Sequence, residues 1–153
     1  MSFILKSVEF VKGIKKTVSL QFSKVFSTRE GEFIKKYPNG QIKIKGYYRR
    51  GLKSERWYSY FENGQLEAEG NYQDGQKEGK WVYYYSNGNI ENIEMNKHGK
   101  ADGDFQAFHE NGIKSAIGQY KDGKREGVFC IFDEKGELIE KIKFENGEQI
   151  NDR

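Results

Sequence analysis

The chain has 153 residues, of which 35% are hydrophobic and 15% aromatic, with 18 glycines, one proline and a formal net charge of +3. That length supports one domain rather than two, the aromatic content argues against disorder, and rings plus glycines with little Ala or Leu make a β composition. One cysteine, Cys130, excludes an intramolecular disulfide framework and fits a reducing compartment; it reads as a small packed strand residue.

Residues 1–30 read as a degenerate N-terminal capping segment. The apolar run Phe3-Ile4-Leu5 is too short for a signal peptide or a membrane span, which predicts a cytoplasmic location. Phe10-Val11-Lys12-Gly13 and Val18-Ser19-Leu20-Gln21-Phe22 alternate like a capping hairpin, and Phe22 to Thr28 is compatible with a short helix. This end is basic. Residues 1–54 hold 13 Lys and Arg against 3 Asp and Glu, whereas residues 55–153 hold 13 against 20.

From Gly31 to Ile150 a 24-residue unit repeats five times without insertion or deletion. Gly40, Gly64, Gly88, Gly112 and Gly136 mark one turn, and Gly51, Gly75, Gly99, Gly123 and Gly147 the other. Such a period signals units that bury their apolar side only against neighbours. The expected fold is all-β: an elongated single-layer antiparallel β-meander of consecutive repeat hairpins, twisted or half-pipe, with about ten strands. Residues 151–153 form a tail, with fraying expected from Glu148 onward.

Within a unit, Asn63-Gly64 predicts a two-residue type I′ hairpin, which needs positive φ at both central residues. That register sets Phe61 opposite Leu66, Ser59 opposite Ala68 and Trp57 opposite Gly70, all on one face. Phe33, Trp57, Trp81, Phe105 and Phe129 recur there, opposite Gly46, Gly70, Glu94, Gly118 and Ile142, and a ring across a glycine shields the bare backbone. Ile42, Leu66, Ile90 and Leu138, with Tyr48, Tyr72, Tyr120 and Phe144, complete this predicted core face. Glu94-Met95-Asn96 breaks the pattern, so irregular packing is expected in the middle hairpin.

The opposite face carries Ile34 and Lys36, Tyr58 and Tyr60, Val82 and Tyr84, Gln106 and Phe108, and Cys130 and Phe132 on outgoing strands. Returning strands add Lys43 and Lys45, Glu67 and Glu69, Glu91 and Ile93, Ser115 and Ile117, and Ile139 and Lys141. An aromatic stripe that a single layer cannot cover is either a second core, formed by curling or dimerisation, or a partner surface, since contiguous apolar area and tyrosines mark interfaces. As a partner surface, its anchors are Tyr58, Tyr60, Tyr84 and Phe108, and its electrostatic rim is Glu67, Glu69 and Glu91.

Gly79-Lys80-Trp81-Val82-Tyr83-Tyr84-Tyr85-Ser86-Asn87-Gly88, with Gly70-Asn71-Tyr72-Gln73-Asp74-Gly75 leading into it, resembles the variant MORN repeat of bacterial proteins. The likeness extends over residues 31–150. Glu55 departs from it at an opening Gly, Lys135 at the turn Asn, and His109 at an aromatic position, where a structural, partly buried histidine is expected. The resemblance implies an antitoxin or immunity protein that neutralises a cognate protein toxin by direct binding. The acidic body suits a basic toxin. Relatives with the standard repeat bind anionic lipid or build membrane scaffolds, for which the basic N-terminal third is the alternative surface; self-assembly is a further class, and the oligomeric state is left open.

No catalytic constellation is legible. His98 and His109 are the only histidines, no Cys/His spacing fits a metal, and the glycines recur because hairpins need them rather than to cradle phosphate. No enzyme activity, metal or cofactor is expected. Nucleic-acid binding has only the basic and aromatic stretch 31–60 behind it, against an acidic body that repels phosphates.

Overall fold

The computed structural model describes residues 29–150. The expected capping hairpin and short helix, apart from Arg29 and Glu30, and the tail 151–153 lie outside the described residues. The rest is one open sheet in sequence order: β1 (Gly31–Lys36), β2 (Ile42–Arg49), β3 (Leu52–Tyr60), β4 (Leu66–Gln73), β5 (Gln76–Tyr84), β6 (Ile90–Lys97), β7 (Lys100–Phe108), β8 (Lys114–Lys121), β9 (Lys124–Phe132), β10 (Leu138–Glu145) and β11 (Glu148–Ile150). The fold class is the antiparallel meander that the period predicts. Fraying from Glu148 is corrected, because Glu148 and Ile150 pair with Glu145 and Lys143 as an eleventh strand.

The type I′ geometry expected at Asn63-Gly64 is found at the other turn instead. At Asn63-Gly64 only the glycine has positive φ, at 86°, and Gly64 N–H donates to Phe61 O at 2.9 Å while Phe61 N–H donates to Gln65 O at 2.8 Å. This is a type I turn closed by a left-handed glycine. The Asn63 side chain explains the preference: its Oδ1 accepts Gln65 N–H at 3.0 Å and its Nδ2 donates to Ser86 O of the next hairpin at 3.3 Å. The type I′ turn is the other one, where Asp74 and Gly75 have φ of 49° and 81° and Gln73 pairs with Gln76.

A bulge restores the core register that the longer turn would have shifted. Trp57 still pairs with Gly70 and Ser59 with Ala68, but Tyr60 pairs with Leu66, which leaves Glu67 as the extra residue. The same slip recurs in every hairpin and places Ile42, Ile90 and Leu138 opposite Lys36, Tyr84 and Phe132. Directly opposed residues share a face. Ile42, Leu66, Ile90 and Leu138 therefore leave the predicted core face and join the opposite one, because a one-residue shift reverses the side on which a side chain stands.

The core is one face of rings. Trp57, Trp81, Phe129 and Phe144 are 3%, 5%, 3% and 8% exposed. Edge-on contacts run Phe33–Tyr48–Trp57–Tyr72–Trp81 and Phe105–Tyr120–Phe129–Phe144 at 5.1–5.7 Å between centroids, the geometry that opposes ring edge to ring face. The glycine that each ring covers belongs to the preceding hairpin, not its own. A Cβ on Gly46 would lie 2.2 Å from the Trp57 ring, one on Gly70 2.2 Å from Trp81 and one on Gly118 2.6 Å from Phe129. The rings thus clamp successive hairpins together, and among the described residues no ring of a further hairpin lies over Ile142.

Both rows of turns are stitched across hairpins as well. Tyr37 and Tyr85 hydroxyls donate to Tyr60 O and Phe108 O at 2.8 Å, and His109 Nε2 lies 3.0 Å from Phe132 O, so the histidine takes a tyrosine's structural place. On the other row, Gly75 N–H donates to Lys53 O at 2.9 Å and His98 N–H to Glu78 Oε2 at 2.9 Å. Lys135 stands at the last turn of its row among the described residues, with no further hairpin there for an asparagine to bridge.

A second bulge opens each outgoing strand. Gly79 has φ of 70° there, and Glu55 occupies the equivalent place at φ 62°. A side chain in the left-handed region costs about 1 kcal/mol, and the exposed Glu55–Arg49 pair at 3.0 Å offsets only a few tenths. Glu55→Gly is expected to raise stability by about 0.5–1 kcal/mol, read as a higher urea midpoint with unchanged slope. An unchanged midpoint would show that the ion pair matches the strain.

Candidate functional site: the uncovered sheet face

One row crosses the sheet on the face opposite the rings: Ile34, Lys45, Tyr58, Glu69, Val82, Ile93, Gln106, Ile117, Cys130 and Lys141 pair successively from β1 to β10. Beside it the bulges set Tyr60 against Leu66, Tyr84 against Ile90 and Phe132 against Leu138. The face is therefore more apolar than the sequence register implied. Val82 is its deepest residue, 9% exposed, while Ile34 and Ile139 at its two ends are 44% and 64% exposed.

The predicted anchors fall into unequal roles. Tyr58 and Tyr60 stack at 6.5 Å with 28° between planes, and Arg56 lies 5.8 Å from the Tyr58 ring. Tyr84 is tied down, its hydroxyl donating to Glu69 Oε1 at 2.9 Å. Phe108 sits opposite Lys114. All four are half-buried.

The predicted acidic rim separates too. Glu67 and Glu91 are exposed residues at the hairpin bulges, whereas the Glu69 side chain is 17% exposed and held by Arg56 at 2.7 Å. Burial alone would raise the Glu69 pKa, but hydrogen bonds from Arg56 and Tyr84, with the Arg56 and Lys80 charges, outweigh it and leave the carboxyl below its ordinary 4.5. The Tyr84 phenol is pushed up to about 12 by burial first and then by its bond to Glu69. Glu69 is thus a clamp within the surface, at the wall of a shallow groove of about 290 Å³ that Arg56, Lys80, Val82, Tyr84, Ile90 and Ile93 also line.

A carboxyl with a depressed folded pKa stabilises above its unfolded value and loses that contribution as pH falls through the folded value. The Glu69 contribution is therefore complete above about pH 4.5 and disappears below it. Glu69→Gln should flatten that part of the acid-unfolding curve, checked by urea midpoints between pH 6 and pH 3; a parallel curve would show that Arg56 and Tyr84 do not respond to the charge.

Four cations of the basic first repeat are engaged within the sheet. Lys45 pairs with Glu32 at 3.1 Å, Arg49 with Glu55 at 3.0 Å, Lys43 lies 4.9 Å from the Tyr37 ring, and Lys53 lies 4.5 and 4.7 Å from Trp57 and Tyr72. These ring-capping cations went unrecognised in the sequence, although Arg29, Lys53, Lys77 and Arg125 follow the same 24-residue period.

The family described as MORN repeat variant matches residues 29–50, 56–74, 77–95, 101–122 and 125–146, more than half of the chain. The chain belongs to the MORN repeat variant family. The matched segments coincide with the five hairpins, and MORN repeats as a rule mediate binding to protein or membrane lipid rather than catalysis. No curated protein matches the chain. Among the described residues of this MORN repeat sheet, no three His, Cys, Asp or Glu side chains gather as a metal set, and no helix is long and apolar enough to cross a membrane.

Proposed function

We propose that this MORN repeat chain is a non-catalytic protein-binding module of the immunity or antitoxin type, acting in the cytoplasm and occluding a cognate toxin with the face opposite its ring core. The observation behind this reading is the row from Tyr58 to Cys130, in which Tyr58, Val82, Ile93, Ile117 and Cys130 are interrupted only by Glu69 and Gln106, with Tyr60, Leu66, Tyr84 and Ile90 beside it, uncovered by any second layer of described residues. Apolar area of that extent with tyrosines at its border is the composition of an interface core. The clamp of Arg56, Glu69 and Tyr84 orders side chains before contact, which lowers the entropic cost of association. Twenty acidic residues against 13 basic ones in residues 55–153 favour a basic partner and speed its capture.

The test is affinity capture at physiological salt from the source organism, followed by co-expression of the captured protein with this chain. Wild type should restore growth suppressed by the captured protein. The double variant Tyr60→Ala/Phe108→Ala, which spares the Glu69 clamp, should weaken capture at least tenfold while keeping its β spectrum. Recovery of only the chain itself or anionic lipid would move the assignment to a scaffold or a lipid-binding surface, and full protection by a folded double variant would remove this face from the site.

A further inference from the structure

The ring face carries a periodic array of cations with one interruption. Arg29 lies 4.6 and 5.0 Å from the Phe33 and Tyr48 ring centroids, Lys53 4.5 and 4.7 Å from Trp57 and Tyr72, Lys77 4.5 and 5.0 Å from Trp81 and Tyr83, and Arg125 5.4 and 5.2 Å from Phe129 and Phe144. At the fourth place in this series stands Ala101. The rings that a cation would bridge there, Phe105 and Tyr120, form the same edge-on pair at 5.4 Å and 76°, both half-buried. Among the described residues, no cation lies over this pair.

The neighbourhood has changed in concert. Ala101 pairs with Asn96, which stands where Tyr48, Tyr72 and Tyr120 stand in other units, and Glu94 replaces the glycine two residues earlier. A bulky ring and a long cationic side chain are thus replaced by two short side chains beside a half-buried carboxylate. We propose that the Phe105–Tyr120 pair, beside Ala101 and Glu94, is a binding site for a lysine or arginine side chain presented by a protein partner. The chemistry is that of the four intramolecular sites: a cation over ring faces is held by the ring quadrupole.

The occupant is a side chain carried by a larger body rather than a free ion. One cation–ring contact is worth about 0.5–2 kcal/mol, too little to retain a small solute on an open sheet, yet enough to set register within a larger contact. The excess of carboxylates in residues 55–153 biases that body towards basic proteins. This site lies on the ring face, so it stands independently of the role proposed for the opposite face.

The experiment is an NMR titration of the full chain with acetyl-arginine-amide, with acetyl-glutamine-amide as the neutral control. The arginine probe should shift the Phe105 and Tyr120 ring signals in the tens of millimolar range, and the glutamine probe should not. Ala101→Lys supplies the cation from within: it should raise the thermal midpoint by about 2–4 °C and abolish the ring shifts, whereas Ala101→Gln, of similar length and uncharged, should do neither. Ring shifts equal for both probes, shifts confined to acidic turns, or shifts surviving in folded Ala101→Lys would each overturn the proposal. Equal loss in Ala101→Gln would reduce the site to a steric slot and overturn it as well.

Discussion

Gly70→Ala is expected to cost about 2–4 kcal/mol, and Gly79→Ala only about 1. The two glycines lie in consecutive strands but are required for different reasons. At Gly70 a Cβ would stand 2.2 Å from the Trp81 ring, so the methyl must displace an indole that is 5% exposed and whose Nε1–H donates to Asn71 O at 3.1 Å. Overpacking a close-packed site costs about 1–3 kcal/mol, and weakening that hydrogen bond adds about 1. At Gly79 a Cβ meets nothing within 4 Å, but φ is 70°, so the cost is the left-handed backbone alone. Urea unfolding of both variants reads the difference. Equal costs would show that Trp81 can move aside, and the ring-over-glycine clamp would no longer explain why hairpins stack without a second layer.

The period, the five hairpins and the identity of the core rings were legible in the sequence because a 24-residue repeat places the same residue at the same point of an identical environment. What the period could not reveal was the pair of bulges per unit. Asn63-Gly64 has the residues of a type I′ turn, yet Asn63 accepts from Gln65 N–H within its own turn and donates to Ser86 O, a contact that exists only once the next hairpin is in place. The resulting slip transfers Leu66 and Ile90 to the uncovered face, which no count along a single strand could show. Of the proposed site, the aromatic positions were legible from alternation. The internal pairing of Glu69 with Arg56 was not, because the two are 13 residues apart and meet only across the β3–β4 pair.

The departures that looked irregular also follow a rule in three dimensions. A position changes where the described residues hold no partner repeat for it. Among them, Ile142 has no ring of a later hairpin to cover it, and Lys135 no later hairpin to bridge. Glu94 is different, because it lies in the interior of the array, and its replacement of a glycine is accompanied by a new polar cluster.

That cluster carries the last large effect. Glu94 Oε1 accepts from the Tyr83 hydroxyl at 2.8 Å and from Asn96 Nδ2 at 3.0 Å, with Lys77 Nζ at 3.6 Å and also bonded to the Tyr83 oxygen. Burial, and then the bond to Glu94, drive the Tyr83 phenol far above its ordinary range, so it remains a donor at any working pH. Asn96 is 6% exposed, and removing its acceptor strands the amide at a cost of about 1–3 kcal/mol. Glu94→Ala is therefore expected to lose about 2–4 kcal/mol once the Tyr83 hydroxyl is counted. The pair Glu94→Gly with Asn96→Tyr removes the stranded donor and rejoins the two ring series, an edge-on contact being worth about 0.5–1.5 kcal/mol. It should recover most of the loss, with a coupling above 1 kcal/mol in the double-mutant cycle. Additive single effects would mean that Glu94 and Asn96 are solvated separately, and that the two ring series are joined by the backbone ladder alone.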